Sequence, residues 1–266
     1  MSARAAPVAL AVVFGPKLFK LVTVALKSAK AAKLGLGVAS MAAYTWLFTW
    51  EFATLIMVSL IIHEYGHIWA MRAVGIPTKG IYLIPFVGGA AVPERAFKNR
   101  MEEQFVSIAG PIFGLAQGYF LYLMYLLLDL PLLGAAAGWV ALFNVFNLLP
   151  IPPLDGGRII KSATFSIGKI WGLIFMGFGF VGAFILMVSM NFFLLGLIAL
   201  LSFFEIIWEA RAGARDGEFH IRRMDSGQVF QCLGLYVLVV AAFVALMMAA
   251  SSIPEGELAM QILRSD

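Results

Sequence analysis

The stretch Phe52-Ala-Thr-Leu-Ile-Met-Val-Ser-Leu-Ile-Ile62 leads without a charge into His63-Glu64-Tyr65-Gly66-His67, and the chain runs on as Ile68-Trp69-Ala70-Met71. An apolar run of this length predicts a helix that crosses a membrane. Residues four apart lie one above the other on a helix, so His63 and His67 share a face. Two imidazoles so placed can hold one metal ion. Glu64, one step round the helix, is then close enough to a water beside that ion to take its proton. Ionisable groups are expensive in lipid, so their presence here marks a functional site.

The composition agrees with a membrane setting. The 266 residues are 62% hydrophobic and 13% charged, and the mean hydropathy is +0.92. A soluble domain carries about 25% charged residues. The chain therefore reads as an all-α polytopic membrane protein, one compact bundle with no large soluble domain. The net charge of +4 fits lysines and arginines facing a cytoplasm and anionic lipid headgroups, and nothing in it asks for nucleic acid. The single cysteine, Cys232, has no internal disulfide partner and sits in an apolar run, as a small buried hydrophobe would. The run Ala5 to Phe14 is broken by Pro7 and Gly15-Pro16, and no small-x-small cleavage site follows it, so a cleaved signal is not expected.

Six to seven transmembrane helices are expected, cut at 34–50, 52–74, 104–128, 132–149, 171–189, 191–208 and 229–250, each near the roughly 17–25 residues a bilayer needs. Residues 34–50 are the segment whose full crossing decides between six and seven. Ahead of them, residues 1–33 form a basic arm. Its lysines 17, 20, 27, 30 and 33 cover one half of a helical wheel, with Leu18, Leu21, Val22 and Leu26 largely on the other, the pattern of an interfacial helix. With seven spans and a cytoplasmic N-terminus, every Lys and Arg except Arg264 falls on the inner side. The unit 34–250 is then the membrane domain, 251–266 a C-terminal tail, and the histidine motif lies toward the cytoplasmic half.

Two further stretches carry meaning. Gly80-Ile-Tyr-Leu-Ile-Pro-Phe-Val-Gly88-Gly89-Ala-Ala-Val-Pro93 is too apolar for a free loop and too broken for a helix, so a short re-entrant β hairpin is expected. Such backbone is tolerated at depth where it lines a cavity, and an open strand edge there could accept an extended peptide. Gly110, Gly114 and Gly118 recur every four residues and leave one helix face bare for close packing.

The segment Asn144-Val-Phe-Asn147-Leu-Leu-Pro150-Ile-Pro152-Pro153-Leu-Asp155-Gly156-Gly157-Arg158 closes the fourth expected span. Asn144 and Asn147 share a helix face, and the prolines end the helix. Asp155 is thereby expected on unwound backbone, with Gly156 and Gly157 allowing a turn. A carboxylate near membrane depth needs a partner, and a metal on His63 and His67 supplies one. Two His and one carboxylate leave a fourth tetrahedral position for water, as catalytic zinc requires.

The two motifs together resemble the site-2 protease family of intramembrane zinc metalloproteases. The resemblance covers about residues 50–160, and Ala109-Gly-Pro-Ile-Phe113 is similar to the Ala-Gly-Pro entry to that family's middle core helix. It implies His63, His67 and Asp155 as ligands of one Zn²⁺ per chain, Glu64 as the catalytic base, and Asn147 lining the site to hold substrate or oxyanion. It places Gly88 and Gly89 in the family's re-entrant β segment, beside the substrate. Some members carry an asparagine shortly after Gly-Pro; this chain has Gly114. The implied activity is hydrolysis of peptide bonds in transmembrane proteins or peptides within a bilayer, here as an integral multi-pass protein of a bacterial cell membrane. The alternative is a non-proteolytic metal-binding membrane protein, either a regulatory pseudoprotease or a transporter. Glu64 argues against it, because a purely structural metal site has no use for a base. No motif specifies the substrate, the trigger or an oligomeric state.

Overall fold

The computed structural model describes residues 29–85, 88–190, 193–215 and 221–251. The basic arm up to residue 28, the hairpin tip at 86–87 and the tail beyond 251 lie outside the described residues. Eight helices and one hairpin are seen among them: α1 (Ala29–Leu47), α2 (Trp50–Ala73), β1 (Thr78–Ile84), β2 (Gly88–Pro93), α3 (Arg100–Leu128), α4 (Pro131–Asn147), α5 (Asp155–Ile167), α6 (Lys169–Met190), α7 (Phe193–Arg215) and α8 (Ser226–Ala250). All seven expected apolar segments coincide with helices. Four of these, 50–73, 100–128, 169–189 and 226–250, are long and apolar enough to cross a membrane, and α4 is a shorter apolar helix.

The surface explains the composition. Trp46, Trp50, Leu127, Ile170, Phe178, Phe230, Leu238 and Met248 are all largely exposed. A water-soluble protein rarely shows an apolar collar of this extent, whereas a bilayer removes its cost. The chain is a multi-pass membrane protein. Polar groups are turned inward: His63, Glu64, His67, Arg100, Glu103, Ser107, Asn144, Asp155 and Lys161 are all buried.

α2 is the central element, packed along α3 on one side and against the hairpin on the other. The glycine of the histidine motif has a steric reason. A β-carbon on Gly66 would stand 2.6 Å from the Ala109 carbonyl oxygen, so only glycine lets α2 and α3 approach this closely. One apolar core joins α3, α4, α5 and α8 through Ile108, Ala141, Leu148, Ile159, Phe243 and the buried Cys232. A second joins α1, α2 and β1 through Tyr44, Phe52, Ile56, Leu60 and Leu83.

β1 and β2 pair antiparallel, with Tyr82 opposite Ala90, Leu83 opposite Gly89 and Ile84 opposite Gly88. The expected hairpin is thus present, and Gly88 enters β2 at φ +116°, on the left-handed side that favours glycine. Side chains of α1 occupy carbonyls along β1: Ser40 donates to Leu83 (3.2 Å) and Lys33 to Lys79. The sheet has two strands, so among the described residues the outer edge of β2 has no strand partner.

One expectation needs correction. Asp155 does not sit on unwound backbone but is the first residue of a 13-residue helix, α5. The break lies just before it, at 148–154. Gly156 and Gly157 are in that helix, in such close contact with the broken segment that β-carbons would overlap the Leu148 carbonyl and the Pro152 nitrogen.

Candidate metal centre

Three side-chain atoms able to bind a metal converge from two helices. His63 and His67 come from α2, one turn apart, and Asp155 from the N-terminus of α5. His63 Nε2 lies 3.1 Å and His67 Nε2 3.3 Å from Asp155 Oδ2, and the two Nε2 atoms are 3.1 Å apart. Asp155 at the first position of its helix has backbone N–H groups and the positive end of the helix dipole near it, which favour the anion.

The hydrogen bonds behind the rings fix their chemistry. Asn144 Nδ2 donates to the Val140 carbonyl (2.8 Å), which turns its Oδ1 toward His63. His63 Nδ1, 2.9 Å from that oxygen, must be the donor. His67 Nδ1 faces the Val106 carbonyl at 2.7 Å, and a carbonyl can only accept. With Nδ1 carrying its hydrogen, each ring in its neutral form presents a lone pair at Nε2, and so does the carboxylate. Three acceptors in contact with no donor between them call for a cation. A tetrahedral zinc with bonds of about 2.0–2.1 Å sets its ligand atoms about 3.3–3.4 Å apart, close to the triangle seen here. Nitrogen–nitrogen–oxygen donors also suit zinc.

Space for an ion is kept by a glycine. A β-carbon on Gly110 would stand 2.9 Å from His63 Nε2 and closer still to His67 Nε2. The glycine repeat of α3 is therefore more than packing: Gly110 leaves room at the ligands. Gly114 leaves room for Asn144, whose Oδ1 and Nδ2 lie 2.5 Å from where its β-carbon would be. The amide beside His63 thus comes from α4, across the gap at Gly114.

Glu64 is 4% exposed and lies outside the ligand triangle. It leans on β2, where a β-carbon on Gly89 would meet its carboxylate at 2.7 Å. The cavity at the ligands, about 230 Å³, is lined by Glu64, Gly89, Phe143, Asn147 and Leu197 among others. Asn147 is on its wall, its Nδ2 donating to the Phe143 carbonyl (3.1 Å). Gly88 lies one step away, against Leu60 and Phe143. A larger cavity, about 630 Å³, lies between Val74, Glu102 and Arg222, but none of the three ligands lines it.

Asn144 and Ser107 are the site residues whose roles the sequence did not reveal. Asn144 shares a face with Asn147, and only the gap at Gly114 tells which of them meets a histidine. Ser107 is 2% exposed and lines the ligand cavity; among the described residues its hydroxyl has no partner. Asn144→Ala is expected to weaken metal affinity about 10–100-fold, as loss of a ligand's supporting hydrogen bond typically does. Competition with a chelating dye measures it, and unchanged affinity would refute the orienting role.

The comparisons with known proteins agree with this geometry. Residues 51–137 match the family model described as peptidase family M50. The chain is 30% identical over 175 residues to Zinc metalloprotease MJ0392 of Methanocaldococcus jannaschii, covering 59% of this chain and 48% of that protein. It is 35% identical over 127 residues to a Synechocystis protein named "Putative zinc metalloprotease sll0528", covering 46% and 33%. It is 28% identical over 158 residues to "Putative zinc metalloprotease Rip3" of Mycobacterium tuberculosis, covering 44% and 37%. The matched stretch spans about half or less of each of these curated relatives. These matches, and the pairing of its two motifs, make the chain similar to the site-2 protease family, peptidase family M50, most directly over residues 51–137.

Proposed function

We propose that this protein is an intramembrane zinc metalloprotease that hydrolyses peptide bonds of transmembrane substrates. The observation that carries the reading is the convergence of two bare Nε2 atoms and a carboxylate oxygen beside a buried glutamate that is not part of the triangle. His63, His67 and Asp155 hold one zinc per chain. Zinc bound there supplies Lewis acidity, polarising a scissile carbonyl and lowering the pKa of water to about 7.

The remaining roles belong to side chains. Glu64 takes the proton of the attacking water and passes it to the departing amine. Asn147, on the cavity wall, holds the substrate or the oxyanion. The substrate must be unwound to expose its carbonyl, and β2 offers an unpaired edge at the cavity for an extended segment. Gly89 keeps that edge close to Glu64. Because α1 occupies carbonyls of β1, the β2 side is the favoured edge for such pairing.

In this reading 34–250 is one metalloprotease unit. The chain crosses the bilayer seven times, by α1, α2, α3, α4, α6, α7 and α8. Its N-terminus is cytoplasmic, a reading supported by the distribution of Lys and Arg, with the site toward the cytoplasmic half of a bacterial cell membrane. Purified full-length protein in detergent is expected to contain one zinc per chain and to cleave members of a panel of single-span peptides. Stripping the metal with a chelator should abolish cleavage, and added zinc should restore it. Cleavage that survives complete metal removal would overturn the reading. Stoichiometric zinc with no cleavage of any substrate would favour the non-proteolytic alternative.

A further inference from the structure

A cluster of charged side chains that the proposed chemistry does not use lies buried between α3, α5 and α7. It holds two basic residues, Arg100 and Lys161, and three acidic ones, Glu103, Glu205 and Glu209. Lys161 Nζ is 2.8 Å from Glu103, 2.6 Å from Glu205 and 3.4 Å from Glu209. Arg100 is 2.8 Å from Glu103 and 3.3 Å from Glu209. Ser162, beside Lys161, donates to Glu103 Oε2 at 3.0 Å. We infer that this cluster is a latch that sets where Asp155 stands, with Lys161 and Glu103 as positioning residues for the metal centre. The inference rests on the metal-binding part of the function proposed above.

The reasoning starts from the chain break. Residues 148–154 interrupt the helix between α4 and α5, so α5 does not continue α4; Gly156 and Gly157 seat its first turn on the break, and the rest of the helix is placed by its other contacts. Asp155 is the first residue of α5, and its placement is that of the whole short helix. The apolar face of α5, Ile159 and Ala163, packs into a shared core. Apolar contact is non-directional and tolerates sliding. The latch is directional: Glu103 uses both carboxylate oxygens on α5, one on Lys161 and one on Ser162. Buried polar groups of this kind are best attested as devices that fix register.

The helix chosen as anchor matters. α3 carries Glu103, and one turn on it carries Val106, whose carbonyl orients His67, and Gly110, which borders both ligand nitrogens. The aspartate and the histidines are thus referenced to the same two turns of one helix. Burial works against the Lys161 ammonium, but Glu103, Glu205 and Glu209 outweigh it and raise its pKa, so the latch stays charged.

The test uses full-length protein in detergent with cobalt(II) as spectroscopic probe and zinc competition against a chelating dye. Lys161→Met, Lys161→Arg and the double variant Glu103→Gln/Lys161→Met are compared with the parent. Lys161→Met is expected to lose about 10–100-fold in metal affinity, the range seen when support behind a ligand is removed, with a changed cobalt absorption spectrum. Lys161→Arg should recover most of both. Without Lys161 the cluster holds three carboxylates and one cation, Arg100; the double variant removes one of those negative charges, so it should regain thermal stability over Lys161→Met without regaining affinity. If Lys161→Met does not fold, the double variant carries the same comparison with the parent. Parent-like affinity and spectrum in the folded Lys161→Met or double variant would overturn the inference. Affinity that returns together with stability in the double variant would overturn it too. A parent that binds metal but cleaves nothing defeats the protease reading and leaves the latch standing; a parent that binds no metal defeats both.

Discussion

Glu64→Gln is expected to lower cleavage by at least about 10²–10⁴-fold, the usual contribution of a general base, while zinc content stays at the parent value. The two readouts separate because of where Glu64 lies. Its carboxylate is outside the triangle of His63, His67 and Asp155, pressed against Gly89 of β2. Glutamine has the same shape, so the contact with β2 and the packing of α2 survive. What is lost is the ability to accept a proton. Zinc content by mass spectrometry and cleavage of a single-span peptide, measured on one preparation, decide the matter. Turnover at the parent rate would remove Glu64 from the chemistry, and loss of zinc would make it a structural residue of the site.

Gly110→Ala is expected to cost at least about 100-fold in metal affinity and to abolish cleavage with it. The added methyl cannot rotate away, because its position is fixed by the backbone of α3. It would stand 2.9 Å from His63 Nε2 and overlap His67 Nε2. The rings cannot easily retreat, since their Nδ1 atoms are held by Asn144 and Val106. The helix itself gains, because alanine favours a helix over glycine by about 1 kcal/mol. A protein at least as helical as the parent but unable to bind metal is therefore the signature. Gly177→Ala on α6, where a β-carbon meets nothing within 4 Å, serves as the control. Parent-like metal content in Gly110→Ala would show that the ion, if bound, sits elsewhere.

Much of this site could be read from the chain because helical spacing is itself geometry. His63 and His67 share a face by arithmetic, and Asp155 follows a proline-rich break that has no other evident purpose. The apolar segments were legible for the same reason that the collar of exposed Trp, Phe and Leu exists. What escaped was whatever depends on a second helix. Asp-Gly-Gly reads as a turn, yet α5 starts there, since both glycines are needed for contact with residues 148–152. Gly110, Gly114 and Gly118 read as one packing stripe, although each faces a different neighbour: the ligand histidines, Asn144, and Leu246 of α8. Arg100, Glu103, Lys161, Glu205 and Glu209 look like charges at a membrane surface until tertiary structure gathers them into one buried cluster.

The gap at Gly114 has a consequence for how such sites vary between related chains. Asn144 reaches from α4 into the volume that a side chain at 114 would occupy. The space beside His63 therefore holds one amide, delivered from one helix or the other. Positions 114 and 144 form a steric pair in which enlarging one obliges the other to shrink. A chain with asparagine at 114 should carry a small residue at 144, and Gly114→Asn here should be tolerated only alongside Asn144→Gly or Asn144→Ala. The unit under constraint is a filled volume with an acceptor aimed at a histidine, and either wall can supply it.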